Sequence, residues 1–193
     1  MLSIITPCSR PENLPRLFQS IDFNKINHWY IVYDTSKDRS YEHIFHNYQK
    51  ISEHNIDGTP FNSKSGNYQR NYALNLIKEG YVYFLDDDNL IHPDFFTELD
   101  FNTPNKLYTF DQYLNFKDNK PLNYRKGNTL KTNRIDLAQF CFDISIKPKN
   151  LLFKNTLYAA DGKLIEELDK VCKDNHIYIP KILCYYNKLT PPK

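Results

Sequence analysis

The sequence predicts a single α/β domain in which helices flank a mostly parallel central sheet. Strand-like and helix-like segments alternate through the first half of the chain. The run Tyr81–Leu85 is apolar at every position, which is typical of a strand buried on both faces of a parallel sheet. A length of 193 residues suits one domain with its own core, so we assign residues 1–193 to a single domain.

Apolar runs and helical spacings predict the elements of the first half in order. Leu2–Thr6 is the first predicted strand, and it should stop at Pro7, because proline donates no hydrogen bond to a ladder. A helix should begin at residues 9–11, since proline suits the first turn of a helix. A strand, two helices and a further strand then follow, at Trp29–Tyr33, Tyr41–Ile51, Asn67–Glu79 and Tyr81–Leu85.

The helix predicted over Asn67–Glu79 has a wide apolar face. That face comprises Tyr68, Tyr72, Ala73, Leu76 and Ile77. We expect it to point into the core.

The second half is less regular. Two short strands are predicted at Leu107–Phe110 and Tyr113–Phe116, with a turn at residues 118–121. Residues 135–146 form a mixed apolar stretch. A helix at Lys163–Lys173 and a last strand at Ile177–Tyr186 complete the predicted domain.

Composition excludes several classes of function. The 25 basic and 23 acidic residues leave a net charge of +2, which argues against bulk electrostatic binding to nucleic acid or to a membrane. No apolar run approaches the length of a membrane-spanning helix, and the N-terminus does not resemble a signal peptide. The four cysteines lack metal-type spacing and are predicted to be free thiols. We therefore expect a cytoplasmic protein, and its many Asn, Lys, Tyr and Phe residues are compatible with a viral or AT-rich bacterial source.

Three consecutive carboxylates, Asp86, Asp87 and Asp88, directly follow the best predicted strand. Ligands of open parallel sheets collect at the carboxyl ends of strands. A dication bound by one or two carboxylates and by diphosphate oxygens would neutralise this charge. The triplet therefore predicts an Mn²⁺ or Mg²⁺ site for a nucleotide substrate, and a solvated acidic turn is the alternative.

Four segments of the chain form recognisable motifs. In chain order they are Thr6-Pro7-x-x-Arg10-Pro11, Gln69-Arg70-Asn71-Tyr72-Ala73-Leu74, Tyr83-Phe84-Leu85-Asp86-Asp87-Asp88-Asn89 and Ile135-Asp136-Leu137-Ala138-Gln139-Phe140. The acidic segment resembles the DXD-type motif of GT-A fold glycosyltransferases, and its Asp-Asp-Asp-Asn form is similar to that of the β-1,3-glucuronyltransferases. The two upstream segments resemble the first loop and the Arg-Asn helix of those enzymes and of the family-two inverting glycosyltransferases, and the last segment resembles one of the glucuronyltransferases.

The resemblance implies a donor-binding half at residues 1–100 and an acceptor-binding half at residues 101–193. Backbone groups at Thr6 and Pro7 would lie against the base, and Asp34 would contact the base or the ribose, although an Asx-turn is an alternative for Asp34. Arg10 would pair with the nucleotide phosphates through its planar fork.

The acidic triplet and the upstream arginine also receive implied roles. Arg70 would pair with the triplet or with the donor diphosphate. Asp86 would lie near Arg70 and the donor sugar, Asp87 would meet the ribose, and Asp88 would bind the metal. His92 is not assigned to the metal.

The catalytic base implied by the resemblance is Asp161, which precedes the predicted helix at Lys163, although an N-cap role is the alternative. Asp136 is a competitor for the same role, and Glu166 is a third candidate. Asp136 and Gln139 are possible sugar or acceptor contacts, with Gln139 standing where the glucuronyltransferases have glycine. Three tyrosines are expected to line either an acceptor cleft or the core, namely Tyr113, Tyr124 and Tyr158.

These expectations together describe an inverting, metal-dependent glycosyltransferase that moves a sugar from a nucleotide-sugar, most simply a UDP-sugar, to a hydroxyl of a glycan or glycoconjugate. A nucleotidyltransferase is one alternative. That class usually has a Gly-rich loop after the first strand, whereas no glycine precedes Gly58 here. A non-catalytic nucleotide- or sugar-binding protein is the other alternative.

Overall fold

A computed structural model describes residues 1–35, 41–57, 66–117, 120–148, 153, 160–172 and 174–189. Within those residues the chain forms nine strands and four α-helices. The strands are β1 Leu2–Cys8, β2 Ile26–Asp34, β3 Ile51–Ile56, β4 Tyr81–Phe84, β5 Leu90–Ile91, β6 Leu107–Lys117, β7 Lys120–Arg125, β8 Phe140–Asp143 and β9 His176–Tyr185. The helices are α1 Leu14–Ser20, α2 Asn67–Leu76, α3 Phe95–Glu98 and α4 Ala160–Val171.

The described strands form one sheet in the order β3-β2-β1-β4-β8-β6-β9-β5, with β7 paired to β6. The first four strands of that order are parallel to one another, as the sequence predicts. Antiparallel pairing enters in the second half, where β8 joins β4 to β6. Strand β9 runs parallel to β6, and β5 and β7 are antiparallel additions. The α/β prediction is thus confirmed, and the parallel part lies in the N-terminal half.

The core has one apolar cluster on each face of the sheet. One cluster includes Leu14 and Leu17 of α1 with Phe95 of α3. The other includes residues of α2 and α4, such as Leu74 and Leu168. Strand β4 contributes alternate side chains to both clusters, which explains why its sequence is apolar throughout. Helices therefore cover both faces, and the strand ends remain available for a site.

The helix predicted at Tyr41–Ile51 is wrong. Described residues 41–50 form turns and irregular backbone, and Ile51 begins β3, which pairs with β2. The Glu53 carboxylate accepts hydrogen bonds from the backbone N–H groups of Ile44 and Phe45, which fixes this non-helical path. Phe45 packs against Phe18, with ring centroids 5.3 Å apart. Tertiary partners therefore satisfy apolar positions whose spacing resembled that of a helix.

Strand β1 does not stop before Pro7, because its pairing with β2 continues to Cys8. Strand β4 pairs with β1 only from Leu2 to Ile5. Beyond Ile5, β1 has lost that neighbour and behaves as an edge strand. Proline is tolerated at such a position, since a missing N–H costs little there.

Helix α2 ends at Leu76, and the predicted apolar face is buried only in part. Ala73 is buried as expected, but Leu76 is exposed. The polar side chains of Arg70 and Asn71 are buried instead. Asn71 accounts for this in part, because its amide exchanges two hydrogen bonds with the backbone of Phe153, at 2.7 and 2.8 Å.

In the second half, the two predicted strands around residues 107–116 are one continuous strand, β6. Helix α4 begins at Ala160 rather than at Lys163, so Asp161 lies within its first turn. The last predicted strand is confirmed as β9. None of the described helices combines the length and apolar character needed to cross a membrane. The four cysteines are buried free thiols.

Candidate active site

Two adjoining cavities lie where β1, β2 and β4 end. The first has a volume of about 310 Å³, and its lining includes Pro7, Ser9, Arg10, Asp34, Gly66, Asp86, Asp87 and Asp88. The second has a volume of about 300 Å³, and its lining includes Asn67, Arg125, Asn133, Asp136 and Asp161. Arg70, Asp86 and Tyr186 line both cavities. These three residues mark the junction through which one ligand could extend from one cavity into the other.

Asp87 joins the acidic loop, which is the loop after β4 that carries residues 86–88, to the loop between β1 and α1. Its Oδ2 atom accepts hydrogen bonds from the backbone N–H groups of Ser9 and Arg10, at 2.6 and 2.8 Å. Its Oδ1 atom accepts from the Arg10 Nε, at 2.9 Å, and from the Arg10 Nη2. The side chain of Asn13 donates to the Asp87 carbonyl oxygen, at 2.9 Å. The structure thus gives this carboxylate a positioning role, and the ribose contact suggested by the resemblance stays a prediction.

Arg10 lines the first cavity, and its guanidinium group is paired there with carboxylates of the protein. Its Nη2 atom is 2.9 Å from Asp88 Oδ2 and also contacts Asp87. About a third of the Arg10 side chain is exposed, whereas Asp87 and Asp88 are buried. Pairing with both carboxylates raises the pKa of Arg10 despite its partial burial, which by itself lowers it. A phosphate contact would therefore require Arg10 to share or to leave these partners.

Asp86 pairs with the arginine that the sequence indicated. Arg70 is buried on α2, and its Nη2 atom lies 2.5 Å from Asp86 Oδ1. Helix α2 thus holds Arg70 against the loop that carries the triplet. The two paired residues, Arg70 and Asp86, are 16 positions apart in the sequence. The three carboxylates therefore meet two guanidinium groups. The pairing of Arg70 with the triplet agrees with one of its two expected partners, and the metal expected at the triplet stays a prediction.

The remaining donor-site candidates separate into two groups. Pro7 and Asp34 line the first cavity. Thr6 is fully buried, and its Oγ1 atom accepts a hydrogen bond from the Trp29 indole, at 2.9 Å. Thr6 lines neither of the two cavities, because its side chain faces the core. Its predicted contact with a base would have to come from the backbone.

Asp136 and Asp161 face the second cavity from different elements. Asp161 lies in the first turn of α4, and burial raises its pKa. Asp136 precedes a 3-10 turn, and its Oδ1 atom accepts from the N–H of Ala138, at 2.9 Å. Burial raises the pKa of Asp136 to about 7, and the charges of Asp86 and Asp161 act in the same direction. The cavity thus holds two carboxyl groups whose pKa values are raised, as is common for groups that transfer protons.

Two candidates have structural roles instead. The Gln139 amide is fully buried, and its Nε2 atom donates to the carbonyl oxygens of Phe110 and Arg125, both at 3.2 Å. The structure thus gives Gln139 a structural role, and its possible sugar or acceptor contact stays a prediction. Glu166 accepts from the N–H and the hydroxyl of Thr132, at 2.9 and 2.7 Å. These bonds lower the pKa of Glu166 to about 2, which makes it a poor general base.

The sequence analysis did not identify Tyr186 and Asn187, which line the first cavity. The backbone N–H of Asn187 donates to Asn89 Oδ1, at 2.8 Å, and the N–H of Leu189 donates to the Asp88 carbonyl oxygen, at 2.9 Å. The segment after β9 is therefore tied to the acidic loop. Little in the sequence indicated these two residues. The one sign was Asn187, because asparagine tolerates a positive φ, and φ is 53° at this position.

The predicted aromatic lining of an acceptor cleft is not found at these cavities. Tyr113 and Tyr124 pair across β6 and β7, and Tyr113 stacks on Tyr185 with ring centroids 6.1 Å apart. Neither Tyr113 nor Tyr124 lines either of the two cavities. Tyr158 lies outside the described residues.

Gly162 allows α4 to approach the segment that carries Asp136. A Cβ atom at this position would lie 2.5 Å from Thr132 Cα and 2.9 Å from Thr132 Oγ1. We expect Gly162→Ala to lower the free energy of unfolding by about 1–3 kcal/mol, because backbone must move to remove the clash. Urea denaturation measures this loss. Lys170→Ala, at an exposed position of the same helix, is the control and should change stability by less than about 0.5 kcal/mol. Equal stability of the two variants would contradict the close contact.

The pKa of Asp136 predicts a pH-dependent stability. Burial raises it from 3.8 to about 7, so between these values the folded protein keeps a proton that the unfolded chain has released. The free energy of unfolding must therefore fall as pH rises through this window, by about 1.4 kcal/mol for each unit by which the folded and unfolded pKa values differ. In Asp136→Asn the amide oxygen can still accept from Ala138, and the titration is lost. Thermal melts should show the variant gaining stability over the parent from pH 4 to pH 7, and parallel profiles would refute the shift.

The fold is similar to that of TarS from S. aureus, a GT-A-like glycosyltransferase. Several solved structures of TarS match this chain. Residues 1–349 of TarS match with a TM-score of 0.65 and 15% identity over 95% of this chain and 59% of that chain. The same TarS segment in complex with UDP-GlcNAc matches with a TM-score of 0.65, 15% identity and coverages of 95% and 57%. Its complex with UDP gives a TM-score of 0.63, 15% identity and coverages of 95% and 59%.

No family model and no curated protein matches the chain. The chain spans about three fifths of the length of TarS 1–349. At 15% identity the likeness establishes the fold, and the resemblance to the β-1,3-glucuronyltransferases stays an expectation from the sequence.

Proposed function

We propose that this protein is an inverting glycosyltransferase that moves a sugar from a nucleotide-sugar, most simply a UDP-sugar, to a hydroxyl group of a glycan or glycoconjugate. The observation that carries the proposal is the junction of the two cavities at Arg70, Asp86 and Tyr186. The first cavity lies at the carboxyl ends of parallel strands, where such folds bind nucleotides. The second holds two carboxyl groups with raised pKa values. The TarS complexes with UDP and UDP-GlcNAc support the same ligand class.

The first cavity receives the nucleoside diphosphate. Pro7 and Asp34 provide the ends of β1 and β2 for the base and the ribose. The guanidinium groups of Arg10 and Arg70 supply positive charge on the side where the diphosphate lies. The sugar then extends past Arg70 and Asp86 into the second cavity. Residues 1–100 thus bind most of the donor, and residues 101–193 supply most of the opposite wall.

Asp88 is the residue that would hold Mn²⁺ or Mg²⁺. The described residues contain no cluster of three or more His, Cys, Asp or Glu side chains that could hold a metal ion by themselves. A magnesium-type site needs only one or two carboxylates when diphosphate oxygens complete it, and Asp88 faces the first cavity, so the donor set fits. When bound, the ion supplies positive charge to the departing diphosphate. It would share Asp88 with Arg10 or displace Arg10 from it.

Asp161 acts as the general base of the transfer. Its carboxylate takes the proton of the acceptor hydroxyl, the hydroxyl oxygen forms a bond to the anomeric carbon, and the bond from that carbon to the diphosphate oxygen breaks. The nucleotide leaves with the electron pair from the opposite face, which inverts the anomeric configuration. Asp136 remains the competitor, but its Oδ1 atom already accepts from the N–H of Ala138. That bond fixes Asp136 in place and favours a sugar contact for it.

Calorimetry with UDP, in the presence and absence of Mn²⁺, tests the proposed function. We expect UDP to bind more tightly by at least about tenfold with Mn²⁺, and Asp88→Asn to abolish that gain. GDP and TDP are titrated in parallel to identify the base. A protein that binds none of the three nucleotides with or without the metal would refute the proposal.

A further inference from the structure

We infer that the second cavity accepts an uncharged sugar ring and discriminates against sugars that carry a carboxylate, such as uronic acids. This inference rests on the proposed function and adds the chemical class of the donor sugar. It follows from the carboxyl groups around the cavity, from the pairing of Arg70 with Asp86 and from the neutral polar groups of the lining.

Carboxyl groups outnumber cations in the cavity lining. Asp86, Asp136 and Asp161 face it from three different elements of the chain, and Arg70 and Arg125 are its guanidinium groups. A carboxylate on the sugar would bring a fourth acidic group into a partly enclosed space. Asp136 keeps its proton up to about pH 7, so the repulsion on a sugar carboxylate comes mainly from Asp86 and Asp161. That repulsion is strong because water screens charges less in the cavity than at the surface.

The buried guanidinium group of the cavity is already paired with a carboxylate of the protein. Arg70 contacts Asp86 at 2.5 Å, in a buried position on α2. Arg125 lies at the end of β7 and lines the same cavity. A sugar carboxylate would have to compete with Asp86 for Arg70. Recognition of a uronic acid usually requires the opposite arrangement, in which a cation awaits the ligand.

Neutral polar groups complete the lining and suit hydroxyl groups of a sugar. Asn67 and Asn133 carry amides that both donate and accept, and Tyr186 carries a phenol at the junction with the first cavity. Burial and the nearby charges of Asp136, Asp88 and Asp86 raise the pKa of Tyr186 to about 12, so its hydroxyl remains a donor. A hexose or N-acetylhexosamine therefore finds partners without adding charge.

Two matched pairs of donors test the inference: UDP-glucose with UDP-glucuronic acid, and UDP-galactose with UDP-galacturonic acid. Within each pair the sugars differ only at carbon 6, where a CH₂OH group replaces a carboxylate. Calorimetry with the full chain and Mn²⁺, with UDP as the reference ligand, gives the affinities. We expect each uronic acid donor to bind at least about tenfold more weakly than its neutral partner.

Asp161→Asn removes one negative charge from the lining of the second cavity. It therefore tests whether that cavity causes the difference in affinity between neutral and acidic sugars. We expect this variant to narrow the affinity ratio within each pair by about threefold or more. An unchanged ratio, or uronic acid donors that bind as tightly as neutral ones to the parent protein, would overturn the inference while UDP binding kept the proposed function intact. If UDP itself fails to bind, the proposed function falls and the inference falls with it.

Discussion

Asp161→Asn should lower kcat by about 10²–10⁴-fold, which is the usual contribution of a general base. Its affinity for UDP should stay within about twofold of the parent, because Asp161 lines the second cavity and not the first. Asparagine has nearly the same shape but cannot take up the proton of the acceptor. Turnover is measured by nucleotide release with the donor and acceptor that a screen identifies, and calorimetry gives the UDP affinity.

Asp169→Asn is the matched control for Asp161, since both residues belong to α4 and Asp169 faces a separate surface cavity beside His176. We expect this control to keep parental turnover. Unchanged turnover in Asp161→Asn would show that another group is the base. A loss of turnover in Asp136→Asn alone would then assign the proton transfer to Asp136.

Asp87→Asn should cause the largest loss of stability among the substitutions considered, about 3 kcal/mol. The buried carboxylate accepts from two backbone N–H groups and from the Arg10 side chain, and an amide would place a donor against these donors. Removing one partner of a buried ion pair also leaves the other charge uncompensated. Urea denaturation measures the free energy of unfolding, and calorimetry with UDP measures the consequence for the first cavity.

Asp94→Asn is the control for Asp87, because its side chain is 62% exposed. Stability of this control should stay within about 0.5 kcal/mol of the parent. A similar small change in Asp87→Asn would mean that the β1–α1 loop keeps its position without the carboxylate. The positioning role assigned to Asp87 would then be wrong.

Local sequence patterns predicted much of the fold because its first half is built from long, regular segments. Strand β4 was recognisable from its apolar run, and the position of the triplet after it followed directly. The approach of Arg70 to Asp86 was implied by the family resemblance, and the structure shows that contact. Asp161 lines the second cavity together with Asp86, on a helix that begins earlier than predicted, and its role as the base stays a prediction.

What the sequence could not predict depends on contacts between distant residues. The turns at residues 41–50 are fixed by Glu53, and no local pattern distinguishes them from a helix. The capture of Gln139 by the backbone of β6 and β7 depends on a hairpin that packs only in the folded chain. The position of Tyr186 over the acidic loop likewise depends on backbone bonds that span about a hundred residues of sequence.

The pairing of Arg10 and Arg70 with the acidic triplet has a consequence for the energetics of ligand capture. Because the loop carries its own counter-ions, its carboxylates are held in place before any nucleotide arrives, and only Arg10 has to change partners. Little conformational entropy then needs to be lost on association, which favours affinity. The same two arginines form an electrostatic barrier to a bare cation, so a metal should enter together with its nucleotide rather than ahead of it.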